Sequence, residues 1–196
     1  LKRCVDRGEA TWRSLASDQQ RELDDVMKLC RCWAEEGLDL AQFFLGTLHH
    51  FGQGAEQDTD EAMRWYRKAA YQGHCKAQAN LGIMCKHGQD YAEATMWLHK
   101  AAEQGNVHAQ YDLGSMYFAA QGVAQDDAEA IKWFRLAADH GVVKAQFQMG
   151  AMYFAGQGVE KDHTVAALWY RKAADQGHAE AQLKLGILCE HGQGVE

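Results

Sequence analysis

The chain has 196 residues and a formal net charge of −7, with 47% hydrophobic and 24% charged residues. This is the composition of a folded globular protein and excludes a disordered chain. No apolar run approaches the ~18 residues that span a bilayer. An acidic chain without clusters of Lys and Arg is poorly suited to nucleic acid, so we predict neither a membrane span nor a nucleic-acid partner.

Residues 1–40 are the least regular part of the sequence. The stretch 26–41 nevertheless aligns with later units at an offset of 36 residues, which puts Leu29 at a position that later units give to Trp. We expect residues 1–40 to be diverged N-terminal capping helices, with a weaker helix around Gly8 to Ser17 ahead of the aligned stretch.

Residues 41–196 consist of a repeat. Every unit begins with an Ala-Gln pair, and four residues after the Ala comes Leu or Met, then Gly. The pairs recur at steps of 36, 32, 36 and 36 residues, at Ala41-Gln42, Ala77-Gln78, Ala109-Gln110, Ala145-Gln146 and Ala181-Gln182. Internal repeats of this length indicate a solenoid. We predict an all-α, right-handed α–α superhelix of helix-turn-helix units, with boundaries 41–76, 77–108, 109–144 and 145–180 and a partial unit 181–196.

Each unit is predicted to contain two helices, A and B. In the first unit, helix A covers about residues 41–50 and helix B about residues 59–72. Helix B carries one apolar stripe at helical spacing, formed by Ala62, Trp65, Tyr66, Ala69 and Ala70. Gly46 and its equivalents leave room on helix A for a bulky neighbour, and we expect the Trp of helix B to fill it.

Both ends of helix B carry residues typical of helix termini. An Asp lies seven residues before each Trp, where its carboxylate can accept hydrogen bonds from N–H groups of the first turn. In three units a Glu follows three residues later, which is typical of a capping box. The fourth unit has Val165 there, and its predicted cap is weaker. The capping residues are Asp58, Asp90, Asp126 and Asp162, and the closing glycines are Gly73, Gly105, Gly141 and Gly177.

Two segments of the fourth unit carry a family resemblance. They are Met149-Gly150-Ala151-Met152-Tyr153-Phe154-Ala155-Gly156-Gln157-Gly158-Val159 and Trp169-Tyr170-Arg171-Lys172-Ala173-Ala174. Together they closely resemble the Sel-one-like repeat (SLR) of the tetratricopeptide-like superfamily, over residues 41–196. The resemblance implies adaptor and scaffold roles in multiprotein assemblies, including bacterial factors for host interaction, signalling or toxin immunity. Disulfide-rich members are associated with penicillin binding, which leaves a β-lactam- or cell-wall-directed hydrolase as an alternative, beside a structural spacer within a larger protein.

No local pattern indicates catalysis, a metal or a cofactor. The Gly-rich loops, such as 156–159, lack the Gly-Lys-Ser/Thr of a phosphate-binding loop and fit turns between helices. The histidines form no i, i+3 or i, i+4 pair and no His-Glu-x-x-His motif. His74 and His178 share a turn between units, where a capping or solvated role is expected. We therefore predict a protein without catalytic residues, cofactor or metal, and not an enzyme.

The cysteines do not follow the disulfide pattern of the disulfide-rich relatives. Cys85 and Cys189 occupy the position held by Tyr117 and Tyr153, so we predict core thiols. Buried free thiols favour a reducing compartment. The chain stops at Glu196 within a motif that occurs earlier, and we interpret it as a fragment from which a targeting segment could have been removed. The compartment therefore stays open.

Positions that recur in every unit are expected to build the stack, and positions that vary are left for function. Three variable positions on helix A share one face, because they are spaced i, i+3 and i+7. They are Phe44, Asn80, Asp112, Gln148 and Lys184 at the first position, Thr47, Ile83, Ser115, Ala151 and Ile187 at the second, and Phe51, His87, Ala119, Ala155 and His191 at the third. With Phe118 and Phe154 beside them, they are predicted to line a concave groove that binds a protein or peptide partner. The alternative is that the Phe side chains pack between repeats.

Overall fold

The computed structural model describes residues 17–192, with side chains from residue 25 onward. Over this part of the chain it has ten α-helices and no strand. They are α1 (Ser17–Glu35), α2 (Asp39–Phe51), α3 (Thr59–Tyr71), α4 (Cys75–His87), α5 (Tyr91–Glu103), α6 (Val107–Phe118), α7 (Asp127–Asp139), α8 (Val143–Ala155), α9 (His163–Asp175) and α10 (Ala179–Glu190). The predicted all-α class is confirmed. The weaker helix expected around Gly8 lies outside the described residues.

The described part of the chain divides into two compact units, one that ends at residue 77 and one that begins at residue 78. In the first unit, α2 packs against both α1 and α3. In the second unit, each helix from α5 to α9 packs against the next in sequence. The A helices are α2, α4, α6, α8 and α10, and the B helices between them are α3, α5, α7 and α9.

The apolar stripe of helix B is buried as predicted. In α3 the five predicted stripe residues are all buried. In α5 the ring of Trp97 is fully buried. The equivalent Trp133 of α7 is only partly buried, while the next residue, Phe134, is 1% exposed. Burial of the stripe therefore follows the repeat, but the Trp position is not equally enclosed in every unit.

Asp side chains cap the B helices, as the spacing predicts. The Asp58 carboxylate accepts from the Glu61 N–H at 2.9 Å, and the Asp162 carboxylate accepts from both Thr164 and Val165. The second half of the predicted capping box is wrong for Glu61. The N–H of Asp58 donates to the carbonyl of His49 instead, and the Glu61 carboxylate pairs with an arginine of its own helix. The backbone of the A-to-B loop therefore satisfies the group that Glu would have bonded.

The space beside Gly46 is filled by a different residue from the one predicted. A Cβ added to Gly46 would lie 2.6 Å from the ring of Tyr66, so Tyr66 and not Trp65 occupies this space. Adjacent residues point about 100° apart around a helix, and Trp65 packs instead against a cluster that includes Leu45 and Leu48. We call the glycines the notch glycines and their partners the knob residues. The pairs are Gly46 with Tyr66, Gly82 with Leu98, Gly114 with Phe134 and Gly150 with Tyr170.

In two units the Gln of the Ala-Gln pair joins three helices by hydrogen bonds. In α8 the buried Gln146 donates from Nε2 to the carbonyl of Ala138 in the preceding helix B, at 3.2 Å. Its Oε1 accepts from Nε2 of Gln176, at the end of the following helix B, at 2.8 Å. Gln42 makes the equivalent pair of bonds in the first unit. Buried amides held in this way fix the register between successive helices.

One hydrogen bond of this Gln network is missing, and a substitution that supplies it should stabilise the protein. Gln110 donates to the carbonyl of Ala102, but its buried Oε1 has no hydrogen-bond partner. The position that supplies the donor elsewhere holds His140 here. We expect His140→Gln to raise the free energy of unfolding by about 1 kcal/mol in urea denaturation, because it satisfies a buried acceptor. His140→Ala is the control, and an equal gain from Ala would contradict the explanation.

The prediction of core thiols is confirmed for Cys85 and wrong for Cys189. Cys85 is 2% exposed and Cys30 is 4% exposed, and burial raises the pKa of the Cys30 thiol. Cys30 and Cys189 are both free of disulfides, but Cys189 is exposed. The prediction of a core thiol at Cys189 is therefore wrong. Within the described residues no helix follows α10, so the contacts that bury Cys85 are missing there. Leu29 of α1, at the Trp position, is 49% exposed.

Candidate partner-binding surface

The third predicted groove position lies on the surface. Phe51 is 61% exposed. The equivalent residues of the later repeats are exposed as well: His87, Ala119, Ala155 and His191. This position lies at the C-terminal end of each helix A, where the chain enters the A-to-B loop. Its side chains are accessible to a partner.

The second position is partly enclosed by helix B. The Thr47 hydroxyl accepts a hydrogen bond from the hydroxyl of the knob residue Tyr66, at 3.2 Å, and donates to the carbonyl of Phe43, at 3.0 Å. Ser115 likewise donates to a backbone carbonyl of its own helix, that of Tyr111. Only part of each side chain faces outward. The residues at this position therefore contribute to the hairpin as well as to its surface.

The first position contains an ion pair between two A helices. The ammonium of Lys86 in α4 lies 2.7 Å from the carboxylate of Asp112 in α6, with the side chains 23% and 20% exposed. Partial burial makes such a pair less sensitive to salt than a surface pair. The Asp112 carboxylate is therefore already paired with the Lys86 ammonium. Asn80, Gln148 and Lys184 share its position on other helices and differ in chemistry.

Three of the four candidate Phe residues contribute both to packing and to the surface. Phe44, Phe118 and Phe154 are each partly buried and each packs against a buried hydrophobic cluster. The ring of Phe154 also meets His163 edge to face, with centroids 5.0 Å apart. These rings therefore stabilise the stack and expose only part of their area.

A fourth position on helix A is exposed in every unit and was missed by the sequence analysis. It holds Leu40, Lys76, His108, Lys144 and Glu180. This position lies four residues before that of Phe44, on the same helix face. Extending the periodicity one turn toward the N-terminus would have found it. Its members are among the most variable in charge on the A helices.

We call the face of the A helices within residues 78–192 the wall. It combines the four positions and consists of Asn80, Ile83 and His87 of α4, His108, Asp112 and Ser115 of α6 with Ala119 directly after it, Lys144, Gln148, Ala151 and Ala155 of α8, and Glu180, Lys184 and Ile187 of α10 with His191 directly after it. Its cations, carboxylates, amides and aliphatic groups are interspersed. Such a mixture suits recognition of a protein surface better than binding of one small charged ligand.

Two of the histidines, His74 and His178, cap helices. His74 and His178 accept from backbone N–H groups of Ala77 and Ala181 through Nδ1, each at 3.2 Å, so their predicted capping role is confirmed. Among the described side chains no group of three or more His, Cys, Asp or Glu is placed to hold a metal ion. No helix in the described part of the chain is both long and apolar enough to cross a membrane.

Comparison with known proteins agrees with the geometry. The family model described as Sel1 repeat matches residues 39–74, 75–106, 107–142, 143–178 and 179–196. A protective antigen of uropathogenic Escherichia coli with an SLR fold is 42% identical, with a TM-score of 0.83 over 87% of this chain and 37% of the antigen. A Sel1 repeat protein from Oxalobacter formigenes is 32% identical, with a TM-score of 0.78 over 92% of this chain and 79% of that protein.

A curated relative matches over a shorter stretch. It is the component HRD3A of an ERAD-associated E3 ubiquitin-protein ligase from Arabidopsis thaliana, 36% identical over 56 residues. The match spans 29% of this chain and 8% of the plant protein. The two structural relatives have the predicted solenoid fold of tetratricopeptide-like helix pairs, and the present chain shares it.

Proposed function

This chain belongs to the Sel1 repeat family, and from that premise we propose that it binds a peptide or protein partner along the wall. Proteins of this family are generally non-catalytic scaffolds for protein interactions. The proposal adds a location: the partner lies against the A helices, and the B helices support them from behind.

The observation that carries the proposal is a difference in burial between the recurring and the variable residues of helix A. In α8 the recurring residues Ala145, Gln146, Met149 and Gly150 are all buried. Gln148 and Lys144, on the same helix, stay at least partly exposed. The recurring residues are thus buried between helices. The accessible face carries the residues whose chemistry changes from unit to unit. A surface of this kind can be specific without disturbing the fold.

The composition of the wall supports a protein partner. Aliphatic groups at Ile83 and Ile187 can bury area against a partner, while the cations Lys144 and Lys184 can pair with its carboxylates. Apolar contacts supply affinity, and polar groups around them supply orientation.

Photo-crosslinking tests the location of the binding surface. A benzophenone amino acid replaces Lys144 on the wall or, as the control, Leu168 on the outward face of α9, which is 55% exposed. We expect a defined crosslinked species from native lysate at position 144 and none at position 168. Crosslinking of the same species only from position 168 would move the interaction to the B helices and overturn the proposal.

A further inference from the structure

Helix α3, in the first compact unit, carries a groove on its exposed side. The groove has a volume of about 410 Å³, and the described residues that line it all belong to α3: Glu61, Arg64, Trp65, Arg67, Lys68 and Tyr71. Trp65 is 6% exposed and lies deepest, while Tyr71 at the C-terminal end is 70% exposed. We call these six residues the α3 groove. They present three cations and two aromatic rings against one carboxylate.

Two positions of the α3 groove distinguish this helix from the other B helices. The position of Tyr71 holds an acidic residue in each later unit, and the position of Arg64 holds an apolar residue or lysine. These residues are Glu103, Asp139 and Asp175 at the first position and Met96, Lys132 and Leu168 at the second. Among the four B helices, only α3 therefore has cations at all three positions 64, 67 and 68 and no carboxylate at position 71.

The Glu61 carboxylate has two possible partners in the α3 groove. It lies 3.2 Å from the guanidinium of Arg64, and the two side chains are 31% and 73% exposed. The Nε1 of Trp65, four residues after Glu61, is buried without a hydrogen-bond partner. In α5 the equivalent Glu93 accepts from Nε1 of Trp97 at 3.0 Å. A ligand carboxylate that replaces Glu61 on Arg64 therefore frees Glu61 to satisfy the Trp65 donor.

Lys68 adds a second positive charge to the same side of α3. Its ammonium lies 3.9 Å from the centroid of the Trp65 ring. Contact with a ring face orients an ammonium and leaves its charge in place. Arg64 and Lys68 are one helical turn apart, about 6 Å along the axis. Cations spread along an axis in this way suit the successive carboxylates of a peptide segment better than a single phosphate group.

We propose that the α3 groove binds an acidic peptide segment of a partner protein. Carboxylates of the segment pair with Arg64 and Lys68, and one of its apolar side chains packs beside Tyr71. The chain as a whole has a net charge of −7, so its average field repels an acidic segment and the attraction is local to this groove. The inference goes beyond the proposed function, because it concerns a B helix of the first compact unit and not the wall.

Selection from a library of random displayed peptides tests the proposal. The bait is the 196-residue chain, and we expect the selected peptides to be enriched in Asp and Glu over the input library. The most enriched acidic peptide, labelled with fluorescein, should bind roughly tenfold more weakly to the double variant Arg64→Gln, Lys68→Gln. Both side chains are exposed, so the melting temperature should not change. The affinity should also fall as the salt concentration rises.

Two control variants show whether the effect belongs to the α3 groove. Arg171→Gln with Lys172→Gln removes two exposed cations from α9 and changes the net charge equally. It should leave the affinity for the acidic peptide within about twofold, because exposed charges far apart are screened by salt. Replacing His108, Lys144 and Gln148 of the wall by Ala should also leave it unchanged, so this inference and the proposed function can fail independently.

Glu61→Gln should have the opposite effect. It removes the carboxylate that competes for Arg64, so we expect the acidic peptide to bind roughly threefold more tightly or better. Selection without acidic enrichment would overturn the proposal, as would equal weakening by the α3 and α9 double variants. Binding to phosphatidylserine vesicles that the α3 double variant abolishes, without selection of any acidic peptide, would also overturn it, because a lipid surface would then be the occupant.

Discussion

Replacing Trp97 with Ala is expected to lower the free energy of unfolding by about 3–5 kcal/mol. The ring is fully buried in α5, and its Nε1 donates to the Glu93 carboxylate at 3.0 Å. The ammonium of Lys100 lies 4.7 Å from the ring centroid. The substitution therefore removes a large buried surface and leaves a cavity. Chemical denaturation monitored by circular dichroism measures the loss.

Trp133→Ala is the matched control, because Trp133 occupies the same position in α7 and is only partly buried. Its indole N–H is also buried without a hydrogen-bond partner, so the substitution removes the free-energy cost of an unsatisfied donor. We expect it to lose less than half as much stability as Trp97→Ala. Equal losses would mean that the enclosure of the two rings does not differ as the structure describes.

The second large effect is expected at a notch glycine. A Cβ at position 150 would lie 2.6 and 2.7 Å from two carbons of the Tyr170 ring. Burial holds this ring tightly and raises the pKa of the Tyr170 hydroxyl to about 12. Gly150→Val must therefore displace a rigid side chain, and we expect a loss of about 2–3 kcal/mol in denaturation experiments.

Gly186→Val is the control for this prediction. It makes the same change at the same position of the repeat, in α10, where nothing lies within 4 Å of the added Cβ. Its effect on stability should stay within about 0.5 kcal/mol. A similar loss from both variants would show that the cost does not come from the knob-and-notch contact.

Features decided by neighbouring residues in the chain could be predicted from the sequence. The bounds of α2 and α3, the buried stripe of α3 and the capping by Asp58 follow from spacing along one helix and its loop. The choice between Trp65 and Tyr66 as the knob could not be made in this way. Both belong to the same stripe, and only the direction from which α2 approaches α3 decides which ring meets Gly46.

Errors also arose where equal positions have unequal surroundings. Cys85 and Cys189 are equivalent in the repeat, yet only Cys85 is covered by neighbouring helices. Periodicity describes what a side chain contacts when helices flank it on both sides, and within the described residues α10 is flanked on one side only. The open notch at Gly186 has the same origin.

The candidate surface was predicted in outline and changed in detail. Its periodicity placed Gln148 and Phe51 on accessible faces of helix A. The ion pair of Lys86 with Asp112 joins residues 26 apart in sequence, so no local pattern indicates that Asp112 is already engaged. The exposed position of Lys144 was not predicted, because the predicted groove positions of this unit begin four residues later, at Gln148.

The central claim is that recurring positions hold the stack together while the wall binds the partner. It is tested most directly by measuring the affinity of the crosslinked partner for two triple-Ala variants of equal size. One changes His108, Lys144 and Gln148 on the wall, and the other changes Met96, Lys132 and Leu168 on the outward faces of the B helices. We predict that the wall variant binds roughly tenfold more weakly or worse at an unchanged melting temperature, while the outward-face variant binds as the unaltered chain does. Full affinity in the wall variant, with loss in the outward-face variant, would contradict the account.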